Sequence, residues 1–338
     1  MELFNVSPFA AQHLVTNDGF GRETLLVVVK ATFALSGKAE LTAKQAEILV
    51  ADEYHGEPSS SSIKSIGNLS LFKPKADVIV NGCAYPVRAG DRSVDAILRV
   101  AGTEKRLRVF GDRVWIKTPV GYRPSDPLPF EKIPVVYERC FGGSDESWAN
   151  LPQFCALNPV GCGYAGKRSS MQFEDLPVPN VVSANAPLQS PNTESETVCF
   201  SAVAPHWLPR SAFAGTYDEA WQKNVMPLLP KDFNPQYYQA APQDQILPDY
   251  IKGGEAVCIE NMTASHLIEF DIPRQKPLIS VNLGDDVLEL TANCDTLQVD
   301  CELGQFSMVW RARVDIHERL RELFWICVED CEAAYVES

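Results

Sequence analysis

The sequence predicts a mainly β protein, with antiparallel β-sandwich or barrel-like lobes joined by a long proline-rich irregular segment carrying a few short helices. Three observations predict it. Short β-branched runs alternate with glycine and aspartate turns through the first 120 residues. The same texture returns after about residue 250. Between the two lie most of the 24 prolines, which remove amide donors and fix φ, so that long strands and helices are both disfavoured. The boundaries that follow are an N-terminal β lobe over 1–120, an irregular aromatic-rich middle over 121–250 and an acidic C-terminal β lobe over 251–338. A single compact domain is the alternative.

Along the chain, Leu25–Leu35 is a β-branched run closed by Ser36-Gly37 and reads as a central strand. Asp77–Gly82 is a second strand, entered through Lys73-Pro74. Val94–Val100, Lys105–Phe110 and Arg113–Lys117, divided by Ala101-Gly102-Thr103 and Gly111-Asp112, read as an antiparallel meander. In the middle segment, Thr216–Asn224 has a capping-box pattern, with Glu219 three residues after Thr216. Pro235–Ala240 has proline near its start, where a helix tolerates it. Strands return at Ala256–Asn261, Leu267–Ile272, Leu278–Asn282, Val287–Leu290, Thr296–Cys301 and Phe306–Ile316. His317–Phe324 reads as a short helix, with a strand over Leu323–Val328 as the alternative.

Charge is divided unevenly. The formal net charge is −14; residues 1–150 hold 18 basic and 18 acidic side chains, and residues 151–338 hold 12 and 26. An acidic half repels a phosphate backbone, which argues against nucleic acid. It fits a basic partner, or a surface that is acidic only for solubility. The longest apolar run is too short to span a bilayer, and the N-terminus lacks the order of a signal peptide, so the expected location is cytoplasmic. The ten cysteines show no C-x-x-C spacing and no partnering histidine, so the expectation is reduced thiols and no metal.

The segment Tyr137-Glu138-Arg139-Cys140-Phe141-Gly142-Gly143, followed by Asn158-Pro159-Val160-Gly161-Cys162-Gly163, packs charge, rings and glycines without a helical period. Such a segment is a shaped loop. Tyr137, Glu138, Arg139, Phe141, Gly142, Gly143, Asn158, Gly161 and Gly163 are assigned to shaping a groove. Catalytic chemistry is poorly served: the five histidines are scattered, and there is no phosphate-binding glycine loop and no G-x-S-x-G elbow. No cofactor is expected. Glu138 is the best candidate for a glycosidase-like carboxylate, and a role in fixing the loop is its alternative. Trp207, Phe213, Trp221, Tyr237 and Tyr238 concentrate in the proline-rich middle and are assigned to partner binding, because rigid rings give large contact area at small entropic cost. Anchoring an irregular segment is the other use of such rings.

The loop also carries a resemblance. In order along the chain stand Lys30-Ala31-Thr32-Phe33, Lys73-Pro74 with Asp77-Val78, Val109-Phe110-Gly111-Asp112-Arg113-Val114-Trp115, the Tyr137–Gly143 loop and Asn158-Pro159-x-Gly161-x-Gly163. Ala240-Ala241-Pro242-Gln243-Asp244-Gln245, Gly253-Gly254-Glu255, Asp295-Thr296-Leu297 and Trp310-Arg311-Ala312 follow. The ordered set resembles the bacterial domain-of-unknown-function family 2169, found beside type VI secretion genes. The chain departs from the family pattern at Cys140, where a small residue is usual, and over Leu176–Asn180. What the resemblance implies is a non-catalytic adaptor or chaperone that holds a secreted effector, often one with a PAAR domain, and helps load it onto the VgrG spike. The competing readings are a carbohydrate-active β enzyme using Glu138 and a structural component of the baseplate or spike.

Overall fold

The computed structural model describes residues 1–147, 153–166, 173–186, 188–191, 193 and 195–331. The protein is mainly β, with three larger sheets and several two- and three-stranded ones, and among the described residues no sheet closes into a barrel. A six-stranded sheet runs in the order Ile246–Leu247, Ala76–Asn81, Asn293–Asp300, Gln305–Asp315, Glu23–Ala34, Ala10–Asn17. A five-stranded sheet runs Val181–Ser183, Thr103–Phe110, Ser93–Val100, Ala256–Glu260, Leu267–Asp271. A four-stranded sheet runs Glu2–Asn5, Leu323–Asp330, Pro277–Leu283, Asp286–Leu290. Each of the three contains strands from before residue 120 and strands from after residue 250.

Glu23–Ala34 shows why its apolar run is continuous. Leu25, Val27, Val29, Ala31 and Phe33 enter the main core, while Leu26 and Val28 meet Val309, Ile48 and Leu69 on the other face. A strand covered on both faces needs no polar alternation. The main core also takes Val94, Ala96 and Leu98 from the five-stranded sheet and Ile279 and Val281 from the four-stranded one. Phe306 stacks on Phe33 at 5.1 Å and on Phe270 at 4.3 Å between ring centroids, joining the six- and five-stranded sheets. Offset rings at such spacing add to plain area burial.

The expected meander divides. Ser93–Val100 and Thr103–Phe110 form the predicted hairpin, but Arg113–Thr118 leaves it to pair with Gly121–Pro124 and Pro177–Val178. Ala76–Asn81 joins the other large sheet, parallel to Asn293–Asp300. The α-helix spans Glu219–Asn224, and its N-cap is Asp218, whose Oδ1 accepts from Trp221 N at 2.8 Å. Thr216, expected to cap it, instead donates its hydroxyl to Asp232 at 2.7 Å. Aspartate as the residue flanking the helix leaves threonine free to close the loop beneath. Pro235–Tyr238 is a 3-10 turn capped by Asn234. The C-terminal ambiguity resolves into a 3-10 turn over Leu320–Glu322 and a strand over Leu323–Asp330. Among the described residues no helix is long and apolar enough to cross a membrane.

All ten cysteines are free. Burial pushes the thiols of Cys140 and Cys294 well up, that of Cys83 to about 11 and that of Cys301 to about 12. Since the thiolate is the nucleophile, iodoacetamide at pH 7.5 is expected to spare these four while modifying the partly exposed Cys155 and Cys331. Peptide mapping reads the result; rapid native-state alkylation of Cys140 or Cys294 would contradict this packing.

Candidate functional site

The Tyr137–Gly143 loop is built as a knot of backbone against backbone. Tyr137–Arg139 is a 3-10 turn, after which Phe141–Gly142 pairs in parallel with Cys162–Gly163. Asn158 is fully buried and donates from Nδ2 to the carbonyls of Tyr137 at 2.8 Å and Phe141 at 3.0 Å. Its own carbonyl accepts from Gly143 N at 2.8 Å. Gly142 has φ of 152°, and a Cβ there would strike the Asn158 carbonyl. One on Gly161 would strike the Asn158 amide and lie 2.7 Å from the Cys140 carbonyl. These glycines admit neighbouring chain.

The loop's charged residues are fasteners. Both oxygens of Glu138 accept from Ser62, from its N at 2.6 Å and its Oγ at 2.7 Å. Arg139 donates to Asn180 Oδ1 at 3.0 Å and Asp112 Oδ1 at 3.2 Å. Asn180 in turn donates to Phe110 O at 3.0 Å. Tyr137 is buried and meets Trp207 edge-on at 5.3 Å.

Other motif residues converge inside the protein. Lys73 Nζ donates to Asp77 Oδ2 at 2.6 Å and Thr296 Oγ1 at 2.9 Å. Asp77 also accepts from Gln239 Nε2 at 2.6 Å and Ala240 N at 2.8 Å. Thr296 donates to Asp295, which is paired with Arg311, and Arg311 donates to Asn68 O. Burial lowers the Lys73 pKa, and the Asp77 carboxylate beside it acts in the opposite sense. Nearby, the buried Lys105 donates to Cys199 O at 2.7 Å and Asp244 Oδ1 at 2.8 Å. Gln245 donates to Val78 O and Phe200 O. Four of the sequence motifs are therefore one polar seam through the core.

The aromatic residues split into two environments. Trp207 is 1% exposed and belongs to the core, so it offers no surface to a partner. Phe213, Trp221, Tyr237 and Tyr238 are half-buried: Trp221 stands on an arm that leaves the frame after Phe213 and returns at Asn234, whose N donates to Phe213 O at 3.0 Å, and Tyr237 and Tyr238 follow just past that return. Trp221 donates from Nε1 to Leu228 O at 2.9 Å and packs edge-on against Tyr217 at 4.7 Å. Phe233, Tyr237 and Tyr238 form a second ring cluster. Tyr237 and Tyr238 line a cleft of about 300 Å³ with Val50, Leu69, Pro205 and Arg210. Arg210 fixes that wall by donating to Tyr237 O at 3.0 Å and Val203 O at 2.6 Å.

Of the groove-shaping residues, Phe141 lines a cleft. It faces a depression of about 470 Å³ with Cys155, Leu157, Tyr164 and Ala165. Sequence reasoning missed Phe20, which is 83% exposed on the hairpin turn between Ala10–Asn17 and Glu23–Ala34. The flanking Gly19 and Gly21 face Leu229 and Leu228 of the arm. A phenylalanine between two glycines in a turn was the available signal, because nothing in such a turn buries a ring. Among the described residues no group of three or more His, Cys, Asp or Glu side chains is placed to hold a metal ion.

A family model described as uncharacterized protein conserved in bacteria (DUF2169) matches residues 20–311, and the chain belongs to that family. No curated protein and no solved structure matches the chain.

Proposed function

We propose, from that membership, that the chain is a non-catalytic adaptor that binds a type VI secretion effector, one linked to a PAAR domain, and helps load it onto the VgrG spike. The observation that carries this reading is the aromatic arm. Tyr217 is 53% exposed and Met226 57% exposed beside the half-buried Trp221, with Phe20 on the adjoining turn. Monomeric surfaces rarely gather rings in this way without a partner, and Tyr and Trp dominate binding hot spots. An adaptor stabilises whichever state of its cargo it binds. The acidic C-terminal half adds steering toward a basic cargo face. The tie of both Glu138 oxygens to Ser62 supports a fastening role for that carboxylate over an acid–base one.

Co-expression with a PAAR-linked effector from the same bacterium is expected to yield a stable complex. The double variant Trp221→Ala/Tyr237→Ala is expected to weaken it by about 100-fold or more, as loss of two hot-spot rings does, with the circular dichroism spectrum unchanged. A dissociation constant that stays put in the double variant removes the arm as the site. Failure of the wild-type proteins to associate at all removes the adaptor reading.

A further inference from the structure

The acidic half of the chain contains a place where positive charge collects. Lys252, Arg274 and Lys276 are exposed around one cleft of about 380 Å³, whose floor is formed by the buried Ile251, Ala292 and Trp310. Among the described residues none of these three cations forms an ion pair. Several exposed arginines elsewhere are neutralised, Arg99 by Glu104 and Glu260, Arg108 by Asp95 and Arg319 by Asp286 and Glu322; what sets this place apart is that three cations share one cleft. One carboxylate, Asp249, lines the cleft.

Arg274 is packed against the turn Gly253-Gly254-Glu255. Gly253 and Gly254 have φ of 86° and 90°, and a Cβ on them would lie 2.7 Å from Arg274 Cα and 2.9 Å from Arg274 Nη2. Glu255 is engaged by the turn itself, accepting from Lys252 N and Gly253 N at 2.8 Å each. Gly254 N donates to Ile272 O at 2.7 Å, which staples the turn to the segment that bears Arg274. The turn thus seats the arginine while its own carboxylate is occupied by backbone donors. A second depression of about 570 Å³ continues past Pro273, Arg274 and Gln275, where Lys38 stands with Glu40 and Asp271. The result is an elongated channel, cationic at one end and apolar along its floor.

We propose that this cleft binds a carboxylate-rich peptide segment of a protein partner, with Arg274, Lys276 and Lys252 taking its carboxylates and the Ile251–Trp310 floor an intervening apolar residue. Charge complementarity selects the occupant: carboxylates of a short segment meet Lys252, Arg274 and Lys276 in this cleft, whereas docking a second whole copy brings together two chains of net charge −14 that repel each other. Guanidinium pairs with carboxylate in two parallel hydrogen bonds, and the apolar floor distinguishes a peptide from a free anion. The surface is separate from the aromatic arm and does not rest on the adaptor reading.

The test is fluorescence anisotropy with the full chain and two fluorescein-labelled peptides, one of glutamates interspersed with leucine and one with lysine replacing each glutamate. The expected result is saturable binding of the acidic peptide alone. Arg274→Glu/Lys276→Glu weakens it by about tenfold or more, as does raising salt from about 50 to about 500 mM. Arg22→Glu, on an exposed residue elsewhere, leaves it unchanged. Equal binding of the lysine peptide, or an affinity indifferent to the double charge reversal, overturns the proposal. So does full displacement by inorganic phosphate, which would make this a plain anion site.

Discussion

Gly142→Ala is expected to destabilise the protein by about 3 kcal/mol or more, against a typical total of about 5–15 kcal/mol. Two costs coincide at this position. The backbone sits at φ of 152°, a region that side chains rarely adopt. The new Cβ would also meet the carbonyl of Asn158, which cannot retreat because it accepts from Gly143 N at 2.8 Å. Moving that carbonyl disturbs the Asn158 amide, which fastens Tyr137 and Phe141. Urea unfolding followed by tryptophan fluorescence measures the loss. Gly90→Ala, at φ of 90° with nothing within 4 Å of its Cβ, isolates the conformational part and is expected to cost about 1–2 kcal/mol. Equal losses in the two variants would show that the knot exerts no steric constraint.

Asp77→Ala is expected to cost about 3–5 kcal/mol, because it strands a buried ammonium. Lys73 and Asp77 side chains are 1% and 0% exposed. Removing the carboxylate leaves Lys73 with Thr296 alone and deprives Gln239 and Ala240 of their acceptor. The double variant Lys73→Met/Asp77→Leu keeps the volume and removes both charges, so it is expected to be more stable than Asp77→Ala alone. A double variant that is less stable than the single would mean that the pair contributes net stability beyond mutual neutralisation. The same unfolding experiment decides this.

The strands were legible wherever a run was buried on one or both faces. Glu23–Ala34 is continuous because both faces are covered, and the Ser93–Phe110 hairpin turns at Ala101-Gly102. Ala10–Asn17 escaped notice because an edge strand with Gln12, His13, Thr16 and Asn17 carries little apolar period. Partner choice was not legible either. The parallel pairing of Ala76–Asn81 with Asn293–Asp300 is joined by the buried Lys73–Asp77–Thr296 contacts, which link residues far apart in sequence, and no local pattern encodes them. At the candidate site, the glycines announced close approach but not what approaches: chain around Asn158 and Gly161. Aromatic composition likewise announces contact area without direction, so Trp207 fell inside and Tyr217 outside. Net charge per half concealed the unpaired trio at Lys252, Arg274 and Lys276, since a sum along sequence is not a map of a surface.

The hydrogen bond between Asn234 and Phe213 has a consequence for how the exposed rings of the arm can vary. It brings the two ends of the arm together, and Thr216 with Asp232 closes a second rung just outside them. The arm therefore leaves and re-enters the frame through one narrow doorway, with Leu228 and Leu229 resting against the Phe20 turn, and doubling the length of a closed loop costs only about 0.6 kcal/mol. What lies beyond the doorway behaves as a cassette. The cassette can be exchanged with the polar seam and the glycine knot left intact, and a graft of this segment from another member of the family is expected to leave the frame folded.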